Sequence, residues 1–167
     1  YYQFIIALGI MGYDYTYNMK AESTIDHFNI YRNTFAEFGL GTKTGIDLPN
    51  ESTGLKGTTI APDLLMNLAI GQYDTYTPIQ LSQYISTFAN GGNRLQPHLL
   101  KEVRKATDDE SLGDVIYSFD TNVLNAVNTT PEYLNRVKEG FYAVTHKSYG
   151  LGREYIADIY DPSGKTG

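Results

Sequence analysis

Cysteine is absent from the 167 residues, which excludes disulfides, thiol catalysis and zinc–thiolate sites. Tryptophan is absent too, while tyrosine reaches 15, a bias for which composition offers no physical account. Positive charge is scarce: 13 Lys and Arg face 19 Asp and Glu, for a net charge of -6 and an isoelectric point near 4.9. With no basic cluster to offset that balance, nucleic acid is excluded as a partner. Long hydrophobic runs are missing as well. The apolar stretch Phe4 to Met11 falls far short of the roughly 20 residues that span a bilayer, and it lacks the basic flank and small-residue cleavage site of a signal peptide. There is no initiator methionine, and the sequence stops at Gly167 on a motif, so a piece of a longer protein is expected.

What is present describes a folded chain. Hydrophobic content of 41% and charged content of 19% fit a globular protein of single-domain size. The stretch Leu68 to Gly92, LAIGQYDTYTPIQLSQYISTFANGG, organises the rest. Thr77 is placed to N-cap a helix, Pro78 suits its first position, and Gln80 stands where a capping box needs it. Leu81, Tyr84, Ile85 and Phe88 recur at helical spacing and predict a buried face. Asn90-Gly91-Gly92 predicts the end, because glycine takes a left-handed cap without steric cost.

Elsewhere residues 1–12 read as a buried helix, and residues 13–23 as a polar, tyrosine-rich connector. Ser23 or Thr24 is placed to cap a helix burying Phe28, Tyr31, Phe35 and Phe38, which Gly39 and Gly41 stop. A turn-rich loop follows, crossed by a short extended piece, Ile46 to Leu48. Pro62 opens a helix through Leu64, Leu65 and Leu68. Leu99 to Arg104 and Val115 to Phe119 read as strands around an exposed acidic turn, Thr107 to Asp114. Thr129 or Thr130 with Pro131 starts a helix whose apolar face is Leu134, Val137, Phe141 and Val144. Gly150 and Gly152 mark a loop, and Glu154 to Tyr160 alternates like a strand. Helices followed by strands predict an α+β arrangement, a helical cluster packed on an antiparallel sheet.

The candidate chemistry lies at the end, in Ser163-Gly164-Lys165-Thr166-Gly167. A phosphate loop is the rival reading, but its first glycine would fall at Ile159, and Asp161 would set negative charge beside the phosphates. A second triplet, Lys43-Thr44-Gly45, reads as a structural turn. His27, His98 and His146 are far apart and form no metal-ligand spacing, so no metal site is expected. Asp47 with Glu51, and Asp108-Asp109-Glu110, lie in polar turns and read as solvated carboxylates. No G-x-S-x-G elbow is present.

The order FGLGTKTGIDLPNESTG, then AIGQYDTYTPIQLSQYISTFANGG, then a segment ending in SGKTG resembles the transpeptidase domain of penicillin-binding proteins. The resemblance is greatest to the class B, monofunctional enzymes of the 2B type in Gram-positive bacteria, and it runs over nearly the whole chain in the right order. That family carries S-x-x-K, S-x-N and K-T-G signatures. No serine here has a lysine three residues later or an asparagine two residues later. Tyr31-Arg32-Asn33 and Tyr133-Leu134-Asn135 mimic a Y-x-N variant, but both fall inside predicted helices and read as packing.

The resemblance therefore implies that residues 1–167 are the C-terminal part of one penicillin-binding, serine β-lactamase-like transpeptidase domain. The nucleophile and general base lie upstream and further strands downstream, and independent folding of the piece is doubtful. It implies a peptidoglycan D,D-transpeptidase working through a serine acyl-enzyme. Its partners are the D-alanyl-D-alanine end of the stem peptide, β-lactams and the cell-wall synthesis machinery. It would act outside the cytoplasmic membrane on an N-terminal anchoring helix, with no metal or organic cofactor. Lys165 would supply positive charge near the substrate carboxylate, Thr166 a hydrogen bond to it, and Gly167 and Gly164 clearance for the substrate backbone. Gly71-Gln72 would border the cleft. Two alternatives stand beside this: a β-lactam sensor or β-lactamase-like hydrolase of the same fold, and a non-catalytic cell-surface interaction module.

Overall fold

The computed structural model describes residues 21–155 and 160–165. The predicted helix at 1–12 and most of the predicted connector lie outside the described residues. Four helices and four short strands follow in the order α1 (Ala21–Glu37), α2 (Pro62–Ala69), α3 (Pro78–Ala89), β1 (Asn93–Leu95), β2 (Glu102–Arg104), β3 (Val115–Ser118), β4 (Val123–Ala126) and α4 (Pro131–His146). The architecture is α+β, as expected, with the strands in two antiparallel pairs, β1 with β4 and β2 with β3.

Ser23 and the buried Thr24 lie inside helix α1, which is described from Ala21, and so are not its cap. Its apolar face packs as the spacing predicts. Phe28 and Tyr31 meet Leu65 and Leu68 of α2, with Phe35, Ile60, Leu64 and Tyr73 around them. Glycine closes the helix: Gly39 has φ +96°, and the amide of Leu40 donates back to Phe35 O at 3.0 Å. Pro62 opens α2 as predicted, without a side-chain cap at Ala61.

Helix α3 has the predicted ends. Thr77 accepts from the amide of Gln80, Gln80 Oε1 accepts from the amide of Thr77, and Gly91 and Gly92 take φ of +81° and +97°. Its buried face differs from the prediction. Phe88 is buried and Tyr84 half-buried, but Leu81 and Ile85 are 46% and 44% exposed. Beside Phe88, the buried positions are instead Gln80, Gln83 and Thr87. The reason is what that side of α3 packs against, the backbone of the Thr42–Thr44 loop and of β1, while Tyr84 and Phe88 face an aromatic cluster. Gln80 Nε2 donates to Thr42 O at 2.6 Å, and Gln83 Nε2 to Thr44 O and Leu95 O at 3.2 and 2.7 Å. Buried carbonyls need donors, and these two amides supply them.

A second cluster joins Phe38, Phe88 and Leu134 with Tyr84, Val127 and Phe141. Its rings stack and abut: Phe38 on Phe88 at 4.5 Å between centroids, and Phe88 edge-to-face with Phe141 at 5.5 Å. This cluster seats α4 against α3. Thr130 and Pro131 begin α4 as predicted. Of the predicted α4 face, Leu134 is buried and Phe141 and Val144 half-buried, while Val137 is 39% exposed. Thr145 takes the buried position nearest the helix end.

The predicted strands are shorter than expected, and β1 and β4 are additional. Leu99 and Leu100 stay outside β2, because their amides donate to the Asp47 carboxylate at 2.8 and 3.0 Å instead of to a neighbouring strand. The same contact folds Ile46 to Leu48 into a turn, with Leu48 N bonded to Ile46 O at 2.8 Å, in place of the predicted extended piece. The acidic segment Thr107 to Asp114 is the turn of the β2–β3 hairpin, exposed apart from Gly113.

Candidate active site

Chain geometry at the C-terminal end of α4 determines where residues 163–165 of the motif lie. After His146 the chain reverses through a glycine turn: Gly150 N donates to Lys147 O at 2.8 Å and Gly152 N to Val144 O at 2.9 Å. A side chain at Gly150 would collide with the carbonyls of Ala143 and Val144, so the turn is open only to glycine. The chain then returns along the helix. Thr145 Oγ1 donates to Pro162 O, His146 Nε2 stands 3.0 Å from Asp161 Oδ1, and Gly164 N donates to Phe141 O at 3.1 Å. Three successive contacts thus lay residues 161–164 on the last turns of α4.

Of the predicted site residues, Gly164 is half-buried against the helix and Lys165 is exposed beside it. Thr166 and Gly167 lie outside the described residues. The predicted strand Glu154 to Tyr160 is not the local structure at either described end. Glu154 and Tyr155 belong to a turn and Tyr160 to a short helical turn, while 156–159 lie outside the described residues. Residues 161–165 have no regular secondary structure and belong to neither strand pair. A segment becomes a strand only when a neighbouring strand takes its backbone groups, and here the Gly164 amide goes to a helix carbonyl.

The second triplet is structural, as read. Thr44 is fully buried, and both its amide and hydroxyl donate to Glu51 Oε1, while the amide of Gly45 donates to Glu51 Oε2 at 3.1 Å. Glu51 is therefore not a solvated carboxylate. Burial pushes its carboxyl up, but the Thr44 and Gly45 donors outweigh that and hold it below the usual range. Asp47 is also held low, by the amides of Leu100 and Leu99. Both carboxylates brace loops, and neither serves as the acid or base of a pair.

An ion pair the sequence reading did not single out ties α1 to the loop before α3. Arg32 donates through Nε and Nη2 to both oxygens of Asp74, at 2.8 and 2.7 Å, and through Nη2 to Gly57 O at 2.8 Å. Asp74 is 5% exposed and also accepts from the amide of Gly57. Burial raises the Asp74 carboxyl, yet the Arg32 guanidinium and the Gly57 amide leave it below its ordinary value. Burial pushes the phenol of Tyr76 up to about 12, with the Asp74 charge adding to the rise and the Arg32 charge opposing it. Tyr31-Arg32-Asn33 is thus packing and bracing, as its helical setting implies. Tyr133-Leu134-Asn135 likewise contributes Leu134 to the core, with Tyr133 65% exposed.

Among the described residues no group of three His, Asp or Glu side chains could hold a metal ion. His98 stacks on Phe119 at 3.9 Å, His146 on Tyr142 at 3.8 Å, and His27 lies half-buried on α1. Gly71 and Gln72 form an exposed turn closing α2, where Gly71 has φ +83° and Gln72 N donates to Asn67 O at 2.9 Å. The contacts of Thr145, His146 and Asp161 carry no signal in the sequence, since a Thr-His pair at a helix end reads as an ordinary terminus.

The penicillin binding protein transpeptidase domain model matches residues 14–167. Penicillin-binding protein 2A of Bacillus subtilis (strain 168) is 49% identical over 140 residues, covering 84% of this chain and 19% of its own length. Peptidoglycan D,D-transpeptidase MrdA of Acinetobacter baumannii is 31% identical over 184 residues, covering 95% of this chain and 24% of its own. Among solved structures, penicillin-binding protein 2B of Streptococcus pneumoniae (strain 5204) superposes with a TM-score of 0.77 at 41% identity, over 90% of this chain and 25% of that one. The chain thus spans 19 to 25% of the length of these relatives. The loop, the capped helix α3 and the terminal SGKTG pointed to the same place: this chain belongs to the penicillin-binding protein transpeptidase domain family.

Proposed function

We propose that the protein carrying these residues is a peptidoglycan D,D-transpeptidase that cross-links stem peptides through a serine acyl-enzyme and is acylated by β-lactams. The observation that carries this reading is family membership over residues 14–167 in a chain whose Lys165 stands exposed on a segment backed by α4. The names of the relatives, penicillin-binding protein and D,D-transpeptidase, support it. The chain contributes the third motif of the site. The reaction needs charge stabilisation where an acyl carbonyl develops negative charge and a backbone edge along which an extended peptide can lie.

In this reading Lys165 places its ammonium near the substrate carboxylate, Thr166 donates a hydrogen bond to that carboxylate, and Gly167 and Gly164 let the substrate backbone approach. The nucleophilic serine and the general base belong to parts of the same domain outside residues 1–167. The protein works on the outer face of the cytoplasmic membrane, held by an N-terminal helix; among the described residues no helix is long and apolar enough to cross a membrane. Its partners are the D-alanyl-D-alanine end of the stem peptide and the cell-wall synthesis machinery.

Intact mass of the full-length protein after incubation with benzylpenicillin tests the reading. The expected result is one adduct on a serine outside this chain, with acylation slowed at least about a hundredfold in Lys165→Ala. Absence of an adduct on folded protein overturns it. The 167 residues alone are expected to take no label, and a covalent adduct on them would overturn the assignment of the nucleophile.

A further inference from the structure

The contacts between α4 and the returning chain fall at Asp161, Pro162 and Gly164, within four residues of the motif lysine. Gly164, bonded to Phe141 O, is separated from Lys165 by a single peptide, so the position of Gly164 constrains that of Lys165. Thr145 is 3% exposed, a buried hydroxyl facing the Pro162 carbonyl and standing 3.1 Å from Tyr142 O. Its methyl Cγ2 also borders Gly164 at ordinary van der Waals distance from where a Cβ would stand. Asp161 has φ +47° directly before a proline. That combination is disfavoured for a residue with a side chain, and it persists where surrounding contacts over-determine it. His146 supplies such a contact, 3.0 Å from Asp161 Oδ1, with its ring stacked on Tyr142 at an interplanar angle of 5°.

We infer that Thr145 and His146 are positioning residues of the active site: they clamp Asp161 and Pro162 onto α4 and thereby set where Lys165 stands. The inference rests on the transpeptidase reading above. Neither residue touches substrate; they act through the segment they hold. The clamp is continuous with the core, because Phe141, which receives the Gly164 amide, packs on Phe88 of α3. A catalytic group must be held to within a fraction of an ångström by packing and hydrogen bonds behind it, and a misplacement of about 1 Å costs up to about a hundredfold in rate.

The test is the second-order acylation rate of the full-length protein by benzylpenicillin, measured beside the midpoint of thermal unfolding. Thr145→Val keeps the shape and removes the hydroxyl; Thr145→Ser keeps the hydroxyl. The expected result is an acylation rate about tenfold lower in Thr145→Val, restored in Thr145→Ser, with the unfolding midpoints of the two variants alike. Wild-type acylation in Thr145→Val overturns the inference, and so does a loss that Thr145→Ser shares. Should Thr145→Val not fold, Asp161→Asn decides, since that side chain is 81% exposed. A loss of about threefold supports the clamp, and an unchanged rate overturns it. If the wild-type protein itself takes no penicillin, the transpeptidase reading has failed and the clamp has no site to position. If the wild type is acylated and the variants match it, the clamp alone has failed.

Discussion

At Gly39 the backbone turns with φ +96°, and a Cβ there would collide with Gln83 Oε1. The glycine is thus required twice, for its dihedral and for the closeness of α3. Gly39→Ala is expected to destabilise the domain by about 2 kcal/mol, read as a shift of the urea midpoint in the full-length protein; an unchanged midpoint would show that the loop relaxes freely. Asp74 makes a pH-dependent contribution at the same scale. Its carboxyl is held below the ordinary value when folded, so its stabilisation is complete above the unfolded value of about 4. As pH falls through the lower folded value, that stabilisation is lost. Breaking a buried pair from one side costs about 3 kcal/mol. Asp74→Asn is accordingly expected to lower the thermal midpoint at pH 6 and to flatten its decline below pH 4, and an identical pH profile in wild type and variant would refute this.

At the scale of the element, α3 shows how a helix can be legible in its ends and obscure in its faces. Thr77, Pro78, Gln80, Gly91 and Gly92 act locally, on backbone groups a few residues away, so their identities suffice to read them. Thr77→Ala is expected to cost about 1 kcal/mol, with Thr77→Ser nearly neutral. Gln80→Ala removes the side-chain half of the box and the donor to Thr42 O, and is expected to cost about 2 kcal/mol. If denaturant titration finds Gln80→Ala no worse than Thr77→Ala, the buried bond to Thr42 carries no weight.

At the scale of the molecule, two packed clusters lie at the helices, while the β2–β3 hairpin stands outside them. Val103, Val115, Ile116 and Tyr117 of that hairpin are all at least 39% exposed. Local opening is cheapest where few buried contacts must break. Amides of Thr107 to Asp114 are expected to exchange with deuterium well before those of α1 and α2, measured by mass spectrometry. Equal protection in both regions would mean the hairpin is covered in the intact protein.

Local chemistry was readable from the sequence by itself: the starts of α2, α3 and α4, the glycine-marked ends of α1 and α3, the acidic hairpin turn, and the family, through Phe38 to Gly54, Ala69 to Gly92 and Ser163 to Gly167 taken in order. What only the tertiary structure decided depends on partners distant in the chain. Gln80 and Gln83 are buried because loop carbonyls of Thr42 and Thr44 lie against them. Arg32 finds Asp74 across 42 positions, and β1 pairs with β4 across the intervening hairpin. Thr145 and His146 acquire a role only because the chain doubles back and sets Asp161 and Pro162 beside them. Periodicity reports which side of a helix is apolar; whether that side is the one covered depends on what else the fold brings there.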